Sequence, residues 1–135
     1  MTNSTSEKSG KPRILIVEDE VIIAMDIAMQ LRELGYEPIG HASRGGQAID
    51  MARQLQPDLV LMDVHLGSEM DGITAAAEIR TQCGADIVFL SAFDTSANRA
   101  RAEAVGPVGY ITKPFDTGDL RAVLDRSMLV SKRQR

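Results

Sequence analysis

The sequence holds one cysteine and no tryptophan, and aromatic residues make up only 4% of its 135 residues. Cys83 alone supports neither an intramolecular disulfide nor a cysteine-based metal site. Every apolar run is far shorter than the roughly 20 residues that span a bilayer. The first twelve residues are polar and lack the apolar stretch of a signal peptide. These absences predict a cytoplasmic protein that does not enter a membrane.

An excess of positive charge is missing too. The formal net charge is −4 and the isoelectric point is near 5.1, which argues against a protein that binds nucleic acid directly through its overall field. The length fits a single domain. We expect a disordered leader over residues 1–12, a folded domain over 13–130 and a short basic tail over 131–135.

Five short apolar runs alternate with five helical patterns along the chain. Ser43 is the predicted N-cap of the second helix, and Gly35 and Gly84 are typical of the residue at which a helix ends. Near-continuous apolar strands between helices predict a doubly wound α/β fold, with a parallel sheet covered on both faces. The predicted strands are Arg13–Val17, Glu37–His41, Asp58–Met62, Asp86–Leu90 and Val108–Ile111, and the predicted helices are Val21–Leu34, Ser43–Gln54, Gly72–Gln82, Asp94–Val105 and Phe115–Val130.

Polar side chains follow these strands at the edge where parallel sheets bind ligands. Clustered carboxylates repel unless a cation or proton intervenes, and oxygen-lined sites suit Mg²⁺. A lysine and a serine beside them suit phosphate. A carboxylate at the end of a rigid strand is suited to act as a nucleophile that forms an acyl phosphate. The residues at these strand ends are Glu18, Asp19 and Glu20, then Asp63, then Ser91, then Thr112 and Lys113.

At these positions the chain resembles the receiver domain of two-component response regulators, over about residues 12–130. Each matching piece is weak alone, but five in the right order make a specific signal. The resemblance implies a flavodoxin-like fold of five parallel strands in the order 2-1-3-4-5. The matching pieces are Ile14–Glu20, Leu59–Asp63, Asp71-Gly72, Phe89–Ala92 and Gly109–Phe115.

The resemblance implies a phosphoacceptor and a Mg²⁺ site. Asp63 is the implied phosphoacceptor and one metal ligand. Asp19 is implied to bind Mg²⁺ directly, Glu18 chiefly through water, and His65 through its backbone carbonyl. From the residues alone, the acidic run at 18–20 also suits the N-terminus of the following helix, through the helix dipole.

The resemblance also implies a phosphoryl pocket and a switch. Ser91 and Lys113 are implied to contact the phosphoryl oxygens, and Tyr110 to change orientation together with Ser91. The Lys113-Pro114 peptide bond is implied to be cis. Two alternatives stay open: Ser91 satisfies loop backbone groups, and Tyr110 is a packing residue with a hydrated hydroxyl.

Some details depart from the family pattern. The loop from Asp63 to Asp71-Gly72 is one residue longer than the common form and lacks its usual proline. The positions that tune phosphoryl lifetime in the family hold His65 and Phe93 here, so the sequence does not predict that lifetime. His65 and His41 lie on different elements and make no zinc site.

The function that follows is a stand-alone response regulator, phosphorylated by a histidine kinase or a histidine phosphotransfer protein. Its output is a conformational switch at the face of the fourth helix, fifth strand and fifth helix. It is a phosphoacceptor and not an enzyme with turnover. One alternative is a pseudo-receiver used only for protein contacts. Another is an aspartyl-phosphate phosphohydrolase, which the histidine at position 65 disfavours, since those enzymes need an acid there.

The first predicted helix is apolar on two sides. Ile23, Ile27, Leu31 and Leu34 form the stripe that we expect to pack on the sheet. A second apolar group faces roughly the other way, and methionine-rich surfaces suit adaptable partners. We expect this outer face to contact the kinase or a second protomer in a homodimer, the alternative being scattered surface hydrophobics. Its members are Ile22, Met25 and Met29.

Overall fold

The computed structural model describes residues 10–67, 70–92 and 95–134, with side chains as far as residue 129. Strands and helices alternate along these residues. The strands are β1 (Arg13–Val17), β2 (Glu37–Ala42), β3 (Leu59–Asp63), β4 (Asp86–Ser91) and β5 (Gly109–Thr112), and the helices are α1 (Val21–Glu33), α2 (Gly45–Leu55), α3 (Gly72–Cys83), α4 (Ser96–Val105) and α5 (Thr117–Gln134).

The five strands form one parallel sheet in the order β2-β1-β3-β4-β5. This confirms the predicted fold class and strand order. Each central strand is apolar along its length because helices cover both faces of the sheet. Alternate side chains point to opposite faces. Helices α2, α3 and α4 cover the face that holds Leu15, Val60, Met62 and Phe89, and helices α1 and α5 cover the face that holds Ile14, Ile16, Leu61 and Leu90.

Four strands run one residue further than predicted, and in β3, β4 and β5 the extra residue is polar. Asp63 pairs with Leu90 across β3 and β4, and Ser91 pairs with Thr112 across β4 and β5. Asp63 was predicted to open a loop; instead it is the last residue of β3. The parallel register therefore holds the backbone of this aspartate in the sheet, next to the end of β4.

The prediction that Ser43 caps the second helix is wrong. Helix α2 begins at Gly45, and its N-cap is Arg44, which makes no side-chain capping bond. Ser43 lies one residue too early, and its backbone N–H donates instead to Gln47 Oε1 at 2.9 Å. The side chain of residue 47 thus reaches back over the entrance to the helix.

The other helix ends follow local chemistry more closely. Asp71 caps α3 by accepting from Thr74 N at 2.8 Å, and Thr95 caps α4 by accepting from Asn98 N at 3.1 Å. Gly84 ends α3 with a φ of 73°, as predicted. Helix α5 starts two residues later than predicted and continues through residues 131–134, which were predicted to form a tail.

The predicted leader lies mostly outside the described residues, which begin at 10. The predicted start of the fourth helix, at position 94, lies outside them as well. Among the described helices, none is long and apolar enough to cross a bilayer.

Candidate functional site

The acidic loop after β1 is held by the edge strand of the sheet. Glu18 N donates to the carbonyl of Ala42 at 3.0 Å. The Nε2 atom of His41 lies 2.7 Å from the carbonyl oxygen of Glu18, which only accepts, so the ring nitrogen is the donor. These two bonds fix the Glu18 backbone, and its side chain is directed inward with 1% exposure.

Three carboxylates converge at this end of the sheet. Glu18, Asp19 and Asp63 each offer an oxygen, and the three oxygens lie within 4.8 Å of one another. Glu18 and Asp63 are buried, whereas Asp19 is exposed. Burial raises the pKa of Glu18 to about 7, and the nearby charge of Asp63 acts in the same direction against the lowering effect of Lys113. Three crowded carboxylate oxygens, two of them desolvated, fit a hard divalent cation such as Mg²⁺.

Lys113 directly follows β5, and its ammonium group forms ion pairs with two of these three carboxylates. Its Nζ is 2.8 Å from Glu18 Oε1 and 3.3 Å from Asp63 Oδ2. Burial lowers the pKa of Lys113, but the hydrogen bond to Glu18 and the charge of Asp63 outweigh burial, and the net pKa is raised. The ammonium is therefore charged at neutral pH. Its backbone N–H donates to the carbonyl of Ser91 at 2.8 Å, and the Lys113-Pro114 bond is cis, as the resemblance implied.

Backbone groups of the β3–α3 loop surround the acids. Asp63 Oδ1 accepts from His65 N at 2.9 Å, and Asp19 Oδ2 accepts from Gly67 N at 3.1 Å. The sequence pointed to the carbonyl of His65 but not to Gly67. No local pattern identifies that glycine, because its contact partner is 48 residues away. The role of the His65 carbonyl as a ligand stays a prediction.

Ser91 and Tyr110 lie on the next two strands. Ser91 ends β4 one residue beyond the partner of Asp63, and it is 1% exposed. Tyr110 is half-buried in β5, and its ring centroid lies 6.3 Å from that of Phe89. The guanidinium carbon of Arg99, on α4, lies 4.0 Å from the centroid of the Tyr110 ring. Ser91 is thus placed at the carboxyl edge of the sheet, and Tyr110 on the face that α4 covers.

A second arginine of α4 reaches the start of α3. Arg101 pairs with Asp71 at 3.0 Å and lies 3.4 Å from Thr74 Oγ1. Partial burial raises the pKa of Asp71, but hydrogen bonds from Arg101 and Thr74 outweigh it, so the net pKa is lowered. Neither Arg99 nor Arg101 was predicted from the sequence, because Tyr110 and Asp71 lie on other elements.

The outer face of α1 is exposed as predicted. Ile27 and Leu31 are buried against the sheet, whereas the three outer apolar side chains retain more than half of their accessible area. Beside them, a groove bordered by α1 and the segment after β5 is lined by Ile23, Lys113 and Phe115 among others. The outer residues are Ile22, Met25 and Met29, at 81%, 64% and 53% exposure.

The model of the response regulator receiver domain family matches residues 14–125. This chain belongs to that family. The match includes all of β2 to β5, all of β1 except Arg13, and every residue of the acidic cluster. Receiver domains are signalling switches of two-component systems and bind Mg²⁺ at an acidic pocket, and this receiver domain presents such a pocket.

Individual relatives agree with the family assignment. The receiver domain is 46% identical over 122 residues to the transcriptional regulatory protein PdtaR of Mycobacterium tuberculosis, covering 89% of this chain and 59% of that protein. It is 34% identical over 117 residues to the chemotaxis protein CheY of Bacillus subtilis, covering 86% of this chain and 97% of CheY. The signal receiver domain of a modulated diguanylate cyclase from Desulfovibrio desulfuricans G20 aligns with a TM-score of 0.86 at 31% identity, over 93% of this chain and 99% of that one.

Proposed function

We propose that this receiver domain accepts a phosphoryl group on Asp63, in a Mg²⁺-dependent reaction, from a phosphohistidine of a histidine kinase or histidine phosphotransfer protein. The observation that carries the proposal is the position of Asp63. Its carboxylate ends a buried strand, 3.3 Å from the Lys113 ammonium and within 4.8 Å of carboxylate oxygens of Glu18 and Asp19. A nucleophile in this position is oriented before its substrate arrives.

In the transfer, a carboxylate oxygen of Asp63 attacks phosphorus and forms an O–P bond. The N–P bond to the donor imidazole breaks, and the leaving nitrogen takes the bonding electron pair. Lys113 already donates to one oxygen of the acceptor carboxylate, so its charge lies where negative charge of the transferring group collects. The product is the modified protein itself, so the chain is a switch and not an enzyme that turns over.

The acidic cluster would hold the metal. Glu18, Asp19, Asp63 and the carbonyl of His65 are the groups that would coordinate it, directly or through water. When bound, Mg²⁺ offsets negative charge on the phosphoryl oxygens. The backbone N–H groups of His65 and Gly67 keep two of these carboxylates oriented without supplying charge of their own.

Phosphorylation of Asp63 would place new hydrogen-bond acceptors, the phosphoryl oxygens, beside Ser91, and the switch follows from this change. We assign the Ser91 hydroxyl as a donor to a phosphoryl oxygen. Movement of Ser91 is accompanied by reorientation of Tyr110, which transmits the change to the face formed by α4, β5 and α5. This path is supported by the pairing of β4 with β5, in which Phe89 lies opposite Tyr110 and Ser91 opposite Thr112.

Mg²⁺-dependent labelling with a small acyl phosphate tests the central assignment. Wild type is compared with Asp63→Asn by intact-protein mass spectrometry, with and without a chelator. Asp50→Asn is the matched control, because Asp50 is an exposed aspartate whose described partner is Arg53 on its own helix. We expect wild type and the control to label only with Mg²⁺, and Asp63→Asn not to label. Equal labelling of Asp63→Asn overturns the assignment.

A further inference from the structure

Helix α4 has little apolar surface with which to hold its position. Its only buried residue is Ala102, and Val105 packs partly against the core. The rest of its sequence is small or charged. A helix with so narrow an apolar contact depends on polar contacts for its placement, because burial contributes in proportion to area.

Arg99 supplies one such contact, to the proposed switch residue. Its guanidinium carbon lies 4.0 Å from the ring centroid of Tyr110, well within the range of a cation–π interaction. Glu103, one turn further along α4, pairs with Arg99 Nε at 3.3 Å. The arginine is therefore oriented from its own helix while its planar group contacts β5.

We assign this contact to the state before phosphoryl transfer, because Lys113 donates here directly to the carboxylates of Asp63 and Glu18. Any reorientation of Tyr110 changes the position of its ring relative to Arg99. Unless Arg99 moves by the same amount, the cation–π interaction is lost, and its loss opposes the switch.

We propose that Arg99 is a positioning residue that stabilises the unphosphorylated orientation of Tyr110 and so sets how readily this receiver domain switches. The proposal rests on the proposed function, because it takes Tyr110 as the switch residue. Arg99 is not among the residues assigned to the phosphoryl group or to the metal. It acts on the equilibrium between two orientations of one ring.

The test uses the ring itself as the reporter. The chain has two tyrosines, so Tyr36→Phe leaves Tyr110 as the single site for 3-fluorotyrosine. In this background, ¹⁹F NMR follows Tyr110 during titration with beryllium trifluoride and Mg²⁺, an isostere of the phosphoryl group. Arg99→Met keeps much of the side-chain volume and removes the charge. Arg99→Lys keeps the cation.

We expect Arg99→Met to move the ligand-free Tyr110 resonance toward its position in the saturated wild type. The concentration of beryllium trifluoride at half-saturation falls about two- to fivefold, the range that an exposed cation–π contact predicts. Arg99→Lys restores part of the wild-type behaviour. Arg53→Met is the control: it removes the same kind of exposed arginine from an intrahelical pair on α2, and we expect no change.

Two failures are distinguishable. If wild type neither binds beryllium trifluoride nor labels on Asp63, the proposed function fails. If wild type responds but Arg99→Met leaves the resonance and the midpoint unchanged, or raises the midpoint, the role of Arg99 is overturned. A thermal melt shows whether each variant is folded. Should Arg99→Met not fold, Glu103→Gln decides: a lowered midpoint supports the proposal, and an unchanged one overturns it.

Discussion

Replacing Gly72 with alanine tests the close approach on which the site depends. Gly72 is buried at the first position of α3, and its N–H donates to the carbonyl of Val64 at 3.0 Å. A Cβ built on this glycine would overlap the carbonyl oxygen of Asp63 and lie 3.1 Å from Val64 Cα. Both neighbours are backbone atoms, so no side-chain rotation relieves the overlap.

The size of the effect follows from this geometry. Alanine is favoured over glycine in a helix by about 0.5–1 kcal/mol. Overpacking a closed interior costs about 1–3 kcal/mol, and more when the backbone must move. We therefore expect Gly72→Ala to lower the free energy of unfolding by about 3 kcal/mol, which corresponds to roughly 10 °C in Tm for a domain of this size.

Urea denaturation followed by circular dichroism measures the change. Gly46→Ala is the matched control, since Gly46 is exposed near the start of α2 and nothing lies within 4 Å of a Cβ built there. We expect this control to be as stable as wild type or slightly more stable. If Gly72→Ala were also as stable as wild type, α3 would not approach the end of β3 as closely as described.

Two further predictions concern charge and the outer face of α1. Folding raises the pKa of Glu18 from 4.5 to about 7, so in this pH window the folded state binds more protons than the unfolded state. Without divalent cation, stability therefore falls as pH rises from 4.5 to about 7, by up to about 3 kcal/mol. Glu18→Gln should remove that fall in urea titrations with chelator, and an unchanged slope would contradict the assignment. For the outer face of α1, Met25→Glu/Met29→Glu should slow phosphotransfer from a kinase or weaken self-association in sedimentation, while labelling by a small acyl phosphate stays normal. Unchanged behaviour in both assays would mean that this face is not an interface.

Two opposing effects on Glu18 explain how its carboxylate and that of Asp63 lie close together despite their electrostatic repulsion. The carboxylate is desolvated and lies near Asp63, and each of these raises its pKa. The 2.8 Å contact with Lys113 lowers it again. Removing Lys113 leaves both acids without their shared cation, a more costly change than loss of an exposed ion pair. The same lysine therefore supports the folded site and serves the proposed chemistry.

The fold could be predicted from the sequence because the features that indicate strands and helix ends depend on neighbouring residues. Continuous apolar runs such as Leu59–Met62 require cover on both faces, and Gly84 marks a helix end through its own backbone conformation. Most predicted element boundaries lie within two residues of the described ones. The end of α5 is the exception, since the helix continues four residues beyond the predicted Val130. The cap at Ser43 was wrongly predicted because a serine one residue before the cap position presents the same local pattern as a true N-cap.

The candidate acids were also visible in the sequence, because the carboxyl ends of parallel strands meet at one edge of the sheet. Asp19, Asp63 and Lys113 could therefore be grouped without coordinates. What the sequence could not supply is the pairing within the group. That Lys113 lies closer to Glu18 than to Asp63 depends on side-chain packing between segments 95 and 50 residues apart.

The sequence by itself determined the order of elements, the sheet edge that carries chemistry and the apolar outer face of α1, since each depends on residue type and short-range spacing. Only the tertiary structure decided which backbone N–H groups orient the acids, that Gly72 lies against Asp63, and that Arg99 meets Tyr110. Those contacts join residues far apart in the chain, and their distances are set by how α3 and α4 pack on the sheet. The physical reason is that helix packing fixes side-chain positions to within ångströms, whereas periodicity fixes only the face on which each side chain lies.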